Sequence, residues 1–98
     1  HICYDEVIAA LDRAIYATEQ GRWDIRSRSL TRAAAGIVAL RKGIDLTLPI
    51  SAALLDIYDA ASAAVLGAVG GRDAAVLHRV RNDLTDIASA LGAERRAA

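Results

Sequence analysis

The side chains that could support covalent or metal chemistry are few in this sequence and lie far apart. The chain has one cysteine, Cys3, and two histidines, His1 and His78. None of these falls in a CxxC or HExxH spacing, so the sequence predicts no catalytic, cofactor-binding or metal-binding residue. Cys3 could act as a nucleophile, but a small, partly buried core side chain is the favoured interpretation. His78 stands beside Arg79 and Arg81, which is typical of a solvated helix face.

Three aspartates invite comparison with the di-metal sites of ferritin-like bundles: Asp5, Asp56 and Asp59. Those sites place Glu on two helices and a Glu-x-x-His motif on two others. The sequence contains no such motif, and neither histidine is placed to join the carboxylates. We therefore expect a protein that is not an enzyme and that binds neither a metal nor a cofactor.

A basic cluster is the next candidate for a binding function, and its members are Arg22, Arg26, Arg28 and Arg32. Arg28 and Arg32 are spaced i, i+4 and share a helix face. A nucleic-acid-binding patch is one interpretation, but the formal net charge is zero and no recognition-helix motif is present. A solvated charged face is therefore favoured. Trp23 precedes the expected N-cap Asp24 and is expected to act as a hydrophobic staple, with a partner-binding anchor as the alternative.

The composition of the 98-residue chain predicts an all-α fold. Alanine contributes 22 residues and Leu, Ile and Val together 26, whereas only four residues are aromatic. Alanine and leucine are the strongest helix formers, and β-branched or aromatic runs typical of strands are sparse. A chain of this length forms one domain, and it can bury one core without disulfides.

Several classes of protein are disfavoured by the same composition. A single cysteine cannot form an internal disulfide, which indicates a reducing compartment. No segment approaches the roughly 20 apolar residues of a membrane span, and the start at His1 does not resemble a signal peptide. A pI near 6.9 gives no bulk attraction to nucleic acid or anionic lipid. We expect a soluble cytoplasmic protein whose partners include neither nucleic acid nor a membrane.

Glycine and proline divide the chain into four helical segments. The spacing of apolar residues predicts helices over 2–20, 24–42, 49–69 and 73–91. Glycines mark the expected helix ends: Gly21, Gly43, the pair Gly70-Gly71, and Gly92. Pro49 is expected in the first turn of the third helix, Asp73 is expected to cap the fourth, and residues 93–98 are expected to fray. Because short loops join antiparallel neighbours, the sequence predicts one up-down four-helix bundle over residues 1–98.

The third segment is apolar on nearly every side. Asp56 and Asp59 are its only charged residues between positions 49 and 69. A helix of this kind is either buried or offers a second face to a partner. A strip of alanines, Ala60-Ala61 and Ala63-Ala64, would let another helix approach closely.

Nearly the whole chain resembles the flagellin export chaperones of the FliS type. The run from Ile2 to Leu11 is similar to the family's Leu-Tyr-Asp-Gly-Ala-Ile signature, and residues 54–59 (Leu-Leu-Asp-Ile-Tyr-Asp) look like its Leu-x-x-Leu-Tyr-Asp. The turn at 21–24 and the pattern over 32–45 also fall where the family has corresponding features. The resemblance implies the family's four helices in matching order.

The chain departs from the family pattern at several positions. Cys3 stands where the family usually has Leu, and Ala60, Ala63 and Ala64 replace its Tyr and Arg residues. The loop between helices two and three is shorter, and no Trp ends the fourth helix. The family's N-terminal segment, which can cover its own binding surface, is expected to be missing before His1. The resemblance therefore implies a divergent or specialised member.

The resemblance implies a cytoplasmic flagellar secretion chaperone. Such a protein would bind the C-terminal helical region of flagellin, prevent premature polymerisation and deliver the subunit to components of the export apparatus. Physical chemistry favours the same kind of function, because helical grooves bind amphipathic segments without catalysis. The alternative is a non-flagellar helical adaptor or dimerisation module that binds amphipathic helices. The oligomeric state is left open.

Client contacts are expected on six residues of the first and third helices: Tyr4, Leu55, Ile57, Tyr58, Ala60 and Ala64. Tyr4 and Tyr58 are expected to pack their rings on apolar neighbours while each hydroxyl reaches a polar partner. Asp5 and Asp59 are expected to be exposed or to cap a helix, with no catalytic role.

Overall fold

The computed structural model describes the backbone of residues 2–97 and the side chains of residues 4–92. Four helices account for most of this chain: α1 (Ile2–Glu19), α2 (Trp23–Lys42), α3 (Ser51–Gly67) and α4 (Ala75–Ala97). No strand occurs between residues 2 and 97, so the all-α prediction is confirmed. The expectations for His1 and for the Cys3 side chain lie outside the described residues.

The helices form a closed ring in chain order. Each helix packs on its neighbours in the sequence, α4 returns to pack on α1, and the contact between α1 and α2 is the most extensive. At one end of the bundle the first residues of α1 and α3 meet the last residues of α2 and α4. The helices therefore alternate in direction, which confirms the up-down topology. The bundle measures 44 × 22 × 19 Å. No helix in the described part of the chain has the length and hydropathy to cross a membrane.

Aliphatic and small side chains from all four helices fill the bundle interior. The largest fully buried apolar side chains are Leu11, Leu30, Ile37, Leu77, Leu84, Val7 and Val65. Small residues let α1 and α2 approach closely, and Gly36 is the clearest case. A Cβ atom built on Gly36 would overlap Cγ2 of Val7 on the facing helix. The Val7 side chain therefore occupies the space that a side chain at position 36 would need.

Two of the predicted turns are confirmed in detail. Gly21 has a φ angle of +69°, the left-handed conformation that ends a helix without steric cost in glycine. The carboxylate of Asp73 accepts a hydrogen bond from the Ala75 N–H at 2.9 Å, so Asp73 caps the start of α4 as expected. Residues 68–74, which connect α3 to α4 and include Gly70-Gly71, are not helical.

Three predicted helix boundaries are wrong. Arg22, not Asp24, is the N-cap of α2, and Trp23 is the first helical residue. Pro49 lies outside α3, whose N-cap is Ile50, because the preceding loop makes its own turns around Asp45. The fourth helix continues through Gly92 to Ala97. The residues after that glycine are Ala, Glu and Arg, strong helix formers that offset the roughly 1 kcal/mol helix penalty of one glycine.

Candidate functional site

An open, largely apolar groove of about 730 Å³ lies at the end of the bundle where α1 and α3 begin. All four helices and the α2–α3 loop contribute aliphatic side chains to its walls: Ile8, Leu40, Ile44, Leu48, Ile50, Leu54 and Leu91. The groove therefore exists only when the whole bundle has assembled. Its volume lies within the range of protein sites that bind small molecules or the side chains of a partner.

A pair of tyrosines from diagonally opposite helices forms part of the groove lining. Tyr4 is 6% exposed and Tyr58 is 3% exposed, and their ring centroids lie 6.3 Å apart with the rings tilted by 59°. Their hydroxyl groups are hydrogen-bonded to each other. Burial, followed by this hydrogen bond, raises the pKa of Tyr4 well above its usual value. The expected packing of both rings is confirmed, and each hydroxyl is the polar partner of the other.

The α2–α3 loop presents aliphatic side chains to solvent at the rim of the groove. Leu46, Leu48 and Ile50 are 75%, 51% and 44% exposed. The Asp45 carboxylate holds this loop by accepting hydrogen bonds from the Thr47 N–H at 2.9 Å and the Thr47 hydroxyl at 2.6 Å. These bonds lower the pKa of Asp45, so the carboxylate stays ionised. Exposed aliphatic side chains on a held loop are typical of a surface that a partner covers.

The exposed residues of this loop, Leu46, Leu48 and Ile50, are not among the predicted contact residues. Three large aliphatic residues alternate with other residues over positions 46–50, between a glycine and the start of a helix. A loop normally carries polar residues, so this run was a signal that the loop contacts something apolar. No helical stripe includes these positions, so helical periodicity does not identify them as contact residues.

The six predicted contact residues fall in two different places. Tyr4 and Tyr58 line the groove, whereas the other four do not. Ala60 is exposed on the outer side of α3, and Leu55 is half-buried. Ile57 and Ala64 are half-buried and pack against the hydrophobic core. Of these six, only Ala60 lies fully on an open surface.

The outer side of α3 shows whether this apolar helix is buried on every side. Its exposed residues are Ala52, Ala53, Asp56, Asp59, Ala60, Ala63, Leu66 and Gly67. The helix is therefore not buried on all sides, and a second, small-residue face is open to solvent. Asp5 and Asp59 are exposed as expected, and Asp59 accepts a hydrogen bond from Arg41 Nε at 2.8 Å.

The prediction of a solvated face for the arginine cluster is wrong for Arg26, which is only 2% exposed. Its guanidinium donates to the Thr18 hydroxyl at 2.7 Å, to the Ala68 carbonyl at 2.7 Å and to the Asp73 carbonyl at 3.3 Å. The side chain thus joins α1, the end of α3 and the turn before α4. Burial lowers the pKa of Arg26, and the nearby negative charge of Asp73 partly opposes that shift.

The surroundings of Trp23 also differ from the expected N-terminal staple. Trp23 is 37% exposed at the start of α2, and the guanidinium carbon of Arg72 lies 4.8 Å from the centroid of its ring. This distance is that of a cation–π contact. Nearby, Arg28 forms an exposed ion pair with Asp24 at 3.7 Å, which contributes little to stability.

The described residues contain no group of three His, Cys, Asp or Glu side chains that could hold a metal ion. The groove combines apolar walls, a hydrogen-bonded tyrosine pair and a loop held by Asp45. The sequence model of the family described as flagellar protein FliS matches residues 1–93. This range includes every residue that lines the groove. No curated protein matches the chain.

Proposed function

We propose that this chain, which belongs to the flagellar protein FliS family, binds the C-terminal helical region of flagellin in the cytoplasm and prevents its premature polymerisation. Family membership gives the general class, a flagellar export chaperone rather than an enzyme. The observation that supports the more specific function is the apolar groove with its exposed rim. In this proposal the chaperone then delivers flagellin to components of the export apparatus.

The groove has the properties that binding of an amphipathic helix requires. Its wall and rim expose Leu48 and Ile50, and a bound client would remove these side chains from water. Fully burying one large aliphatic side chain contributes about 1.5–3 kcal/mol. Such contributions must offset the entropy that a disordered client loses when it becomes ordered. The hydrogen bonds that hold the loop around Asp45 reduce the conformational entropy that the chaperone itself loses on binding.

The six predicted residues have separate roles in this proposal. Tyr4 and Tyr58 contact the client through the groove. Ala60 and Leu55 contact it on the outer side of α3, where small side chains allow a helix to approach closely. Ile57 and Ala64 support that face from the core side.

The test is calorimetric titration with purified flagellin and with flagellin lacking its C-terminal helical region. We expect binding of the first and none of the second. The variant Ile50→Glu places a charge in the groove and should weaken binding by at least tenfold, because an unpaired charge is costly in a desolvated contact. Val38→Glu is the matched control, since Val38 and Ile50 are both 44% exposed and Val38 does not line the groove.

Each outcome has a defined consequence. Equal binding of intact and shortened flagellin would refute the proposed client region. Equal loss of affinity in the two variants would refute the groove as the contact surface. No binding of flagellin, together with tight binding of an unrelated amphipathic helix, would favour the alternative of a non-flagellar helical adaptor.

A further inference from the structure

A second, smaller cleft lies at the opposite end of α2 from the tyrosine groove. Its volume is about 200 Å³, and it is formed by the start of α2, the end of α3 and the turn that follows. The lining residues are Trp23, Arg26, Ser27, Val69, Gly70, Gly71 and Arg72. The lining therefore includes two arginines and one serine but no acidic residue.

Arg26 brings a buried positive charge to the inner wall of this cleft. Three of the five guanidinium N–H groups donate to neutral oxygen atoms, namely one hydroxyl and two carbonyls. Among the described residues, the second N–H on each of Nη1 and Nη2 has no acceptor, and Arg26 forms no ion pair. A buried charge is normally paired, so a guanidinium with spare donors in a cleft points to an anionic ligand.

Arg72 brings the second charge, which lies against the ring of Trp23. Its guanidinium carbon lies 4.8 Å from the centroid of the Trp23 ring, and it forms no ion pair with any described carboxylate. Stacking on an aromatic ring restricts the guanidinium while the N–H groups at its edge remain able to donate. Little additional ordering is then needed for Arg72 to bind an oxyanion.

We propose that this cleft binds a carboxylate, namely the Asp or Glu side chain of an acidic segment in a partner protein. The planar fork of a guanidinium matches the two oxygens of a carboxylate. Arg26 and Arg72 carry two positive charges and Asp73, bonded to Arg26 through its carbonyl, carries one negative charge, which leaves one positive charge. One net charge matches a carboxylate better than doubly charged phosphate.

The dimensions of the cleft agree with this ligand. A water molecule occupies about 30 Å³ in the liquid, so a cleft of about 200 Å³ has room for a carboxylate with its methylene groups. Val69 supplies an apolar wall against which the methylene groups can pack. The cleft is distinct from the tyrosine groove, because no residue lines both.

The fluorescence of Trp23 provides a direct assay, because it is the only tryptophan in the chain. Sodium acetate, inorganic phosphate and the blocked peptide acetyl-Glu-Glu-amide are titrated separately at constant ionic strength set with chloride. We expect a saturable change in fluorescence with acetate and with the peptide. The peptide should bind at least fivefold more tightly than acetate, and phosphate should bind at least fivefold more weakly than acetate. Calorimetry with the peptide checks the same affinities without a fluorescent readout.

Three variants test which residues hold the carboxylate. Arg72→Gln should weaken peptide binding at least fivefold, and Arg72→Lys at least threefold, because lysine keeps the charge but lacks the planar fork. Arg79→Gln is the matched control, because Arg79 is an exposed arginine of α4 that does not line the cleft, and its loss should leave binding unchanged. Arg72 is exposed, so thermal melts should show that all three variants fold.

Three results would overturn the proposal. The first is the absence of saturable binding by acetate and peptide, and the second is a response that chloride reproduces. The third is equal peptide affinity in wild type and Arg72→Gln. Tighter binding of phosphate than of either carboxylate would show that the cleft is an anion site of a different class.

Discussion

The tyrosine pair that lines the groove allows a direct test of whether each hydroxyl group depends on the other as its hydrogen-bond partner. Tyr4 and Tyr58 are 6% and 3% exposed, and each hydroxyl has the other as its hydrogen-bond partner. Replacing one of them with Phe leaves the remaining hydroxyl buried without that partner. A buried polar group without a partner destabilises a protein by about 1–3 kcal/mol. We expect Tyr4→Phe and Tyr58→Phe each to lower the free energy of unfolding by about 1–2 kcal/mol.

The double variant should be less destabilised than the sum of the two single variants. Tyr4→Phe with Tyr58→Phe removes both hydroxyls and leaves no unpaired group, so its effect should be within about 1 kcal/mol of wild type. Two single losses of about 1–2 kcal/mol and a double loss of at most about 1 kcal/mol give a coupling free energy of about 1–4 kcal/mol between the two side chains. Urea unfolding followed by circular dichroism measures all four proteins. Tyr16→Phe is the matched control, because Tyr16 is 63% exposed and its loss should change stability by less than about 0.5 kcal/mol.

Alkaline pH provides a second measurement on the same pair. The pKa of Tyr4 is raised in the folded protein, so above its unfolded value of 10.0 the unfolded chain loses a proton that the folded protein keeps. The contribution of Tyr4 to the free energy of unfolding is therefore fully present below pH 10 and should fall as the pH rises above 10. Tyr4→Phe should make stability fall less steeply above pH 10, whereas Tyr16→Phe should leave the fall as it is in wild type.

The urea experiments on the single and double variants can refute the interpretation that the two hydroxyls depend on each other. Additive effects of the Tyr4→Phe and Tyr58→Phe substitutions would do so, as would single variants that are as stable as the Tyr16→Phe control.

Three further predictions concern packing and the client surface. Gly36→Ala should destabilise the bundle by about 1–3 kcal/mol because its Cβ overlaps Val7, and the penalty should at least halve in a Val7→Ala background. Gly67→Ala, where nothing lies within 4 Å of the added atom, should be neutral or stabilising in the same urea assay. Leu84→Ala should lower the free energy of unfolding by about 2–5 kcal/mol, since Leu84 is 0% exposed, and a loss below about 1 kcal/mol would contradict a core position. Ala60→Glu should keep the melting temperature and weaken flagellin binding in calorimetry at least fivefold, whereas unchanged affinity would exclude the outer side of α3 as a contact.

The existence and order of the four helices could be predicted from local properties of the sequence. Apolar spacing, glycines at the helix ends and high helix propensity act within a few residues, so they are visible without any tertiary contact. The same holds for Gly21, whose positive φ follows from its place between two helical patterns. Helix boundaries near residues 24, 49 and 92 were predicted less well, because hydrogen bonds within the loops and the propensity of the next residues shift them.

The position of Arg26 could not be predicted from its neighbours in the sequence. It has the composition and spacing of a surface arginine, yet its three acceptors belong to Thr18, Ala68 and Asp73, up to 47 positions away. Only assembly of α1, α3 and the turn before α4 brings these oxygen atoms together. The cleft beside Arg26 is for the same reason a property of the folded chain alone.

The sequence by itself determined that the chain forms a helical bundle, and its Tyr-Asp segments indicated the family that the match over residues 1–93 shows. It also identified Tyr4 and Tyr58 as a related pair, because both stand in similar motifs. The tertiary structure alone decided that these two hydroxyls meet, that Leu48 and Ile50 border their groove, and which side of α3 is open. Periodicity assigns a residue to a face of its own helix, whereas a groove depends on which faces of other helices lie opposite.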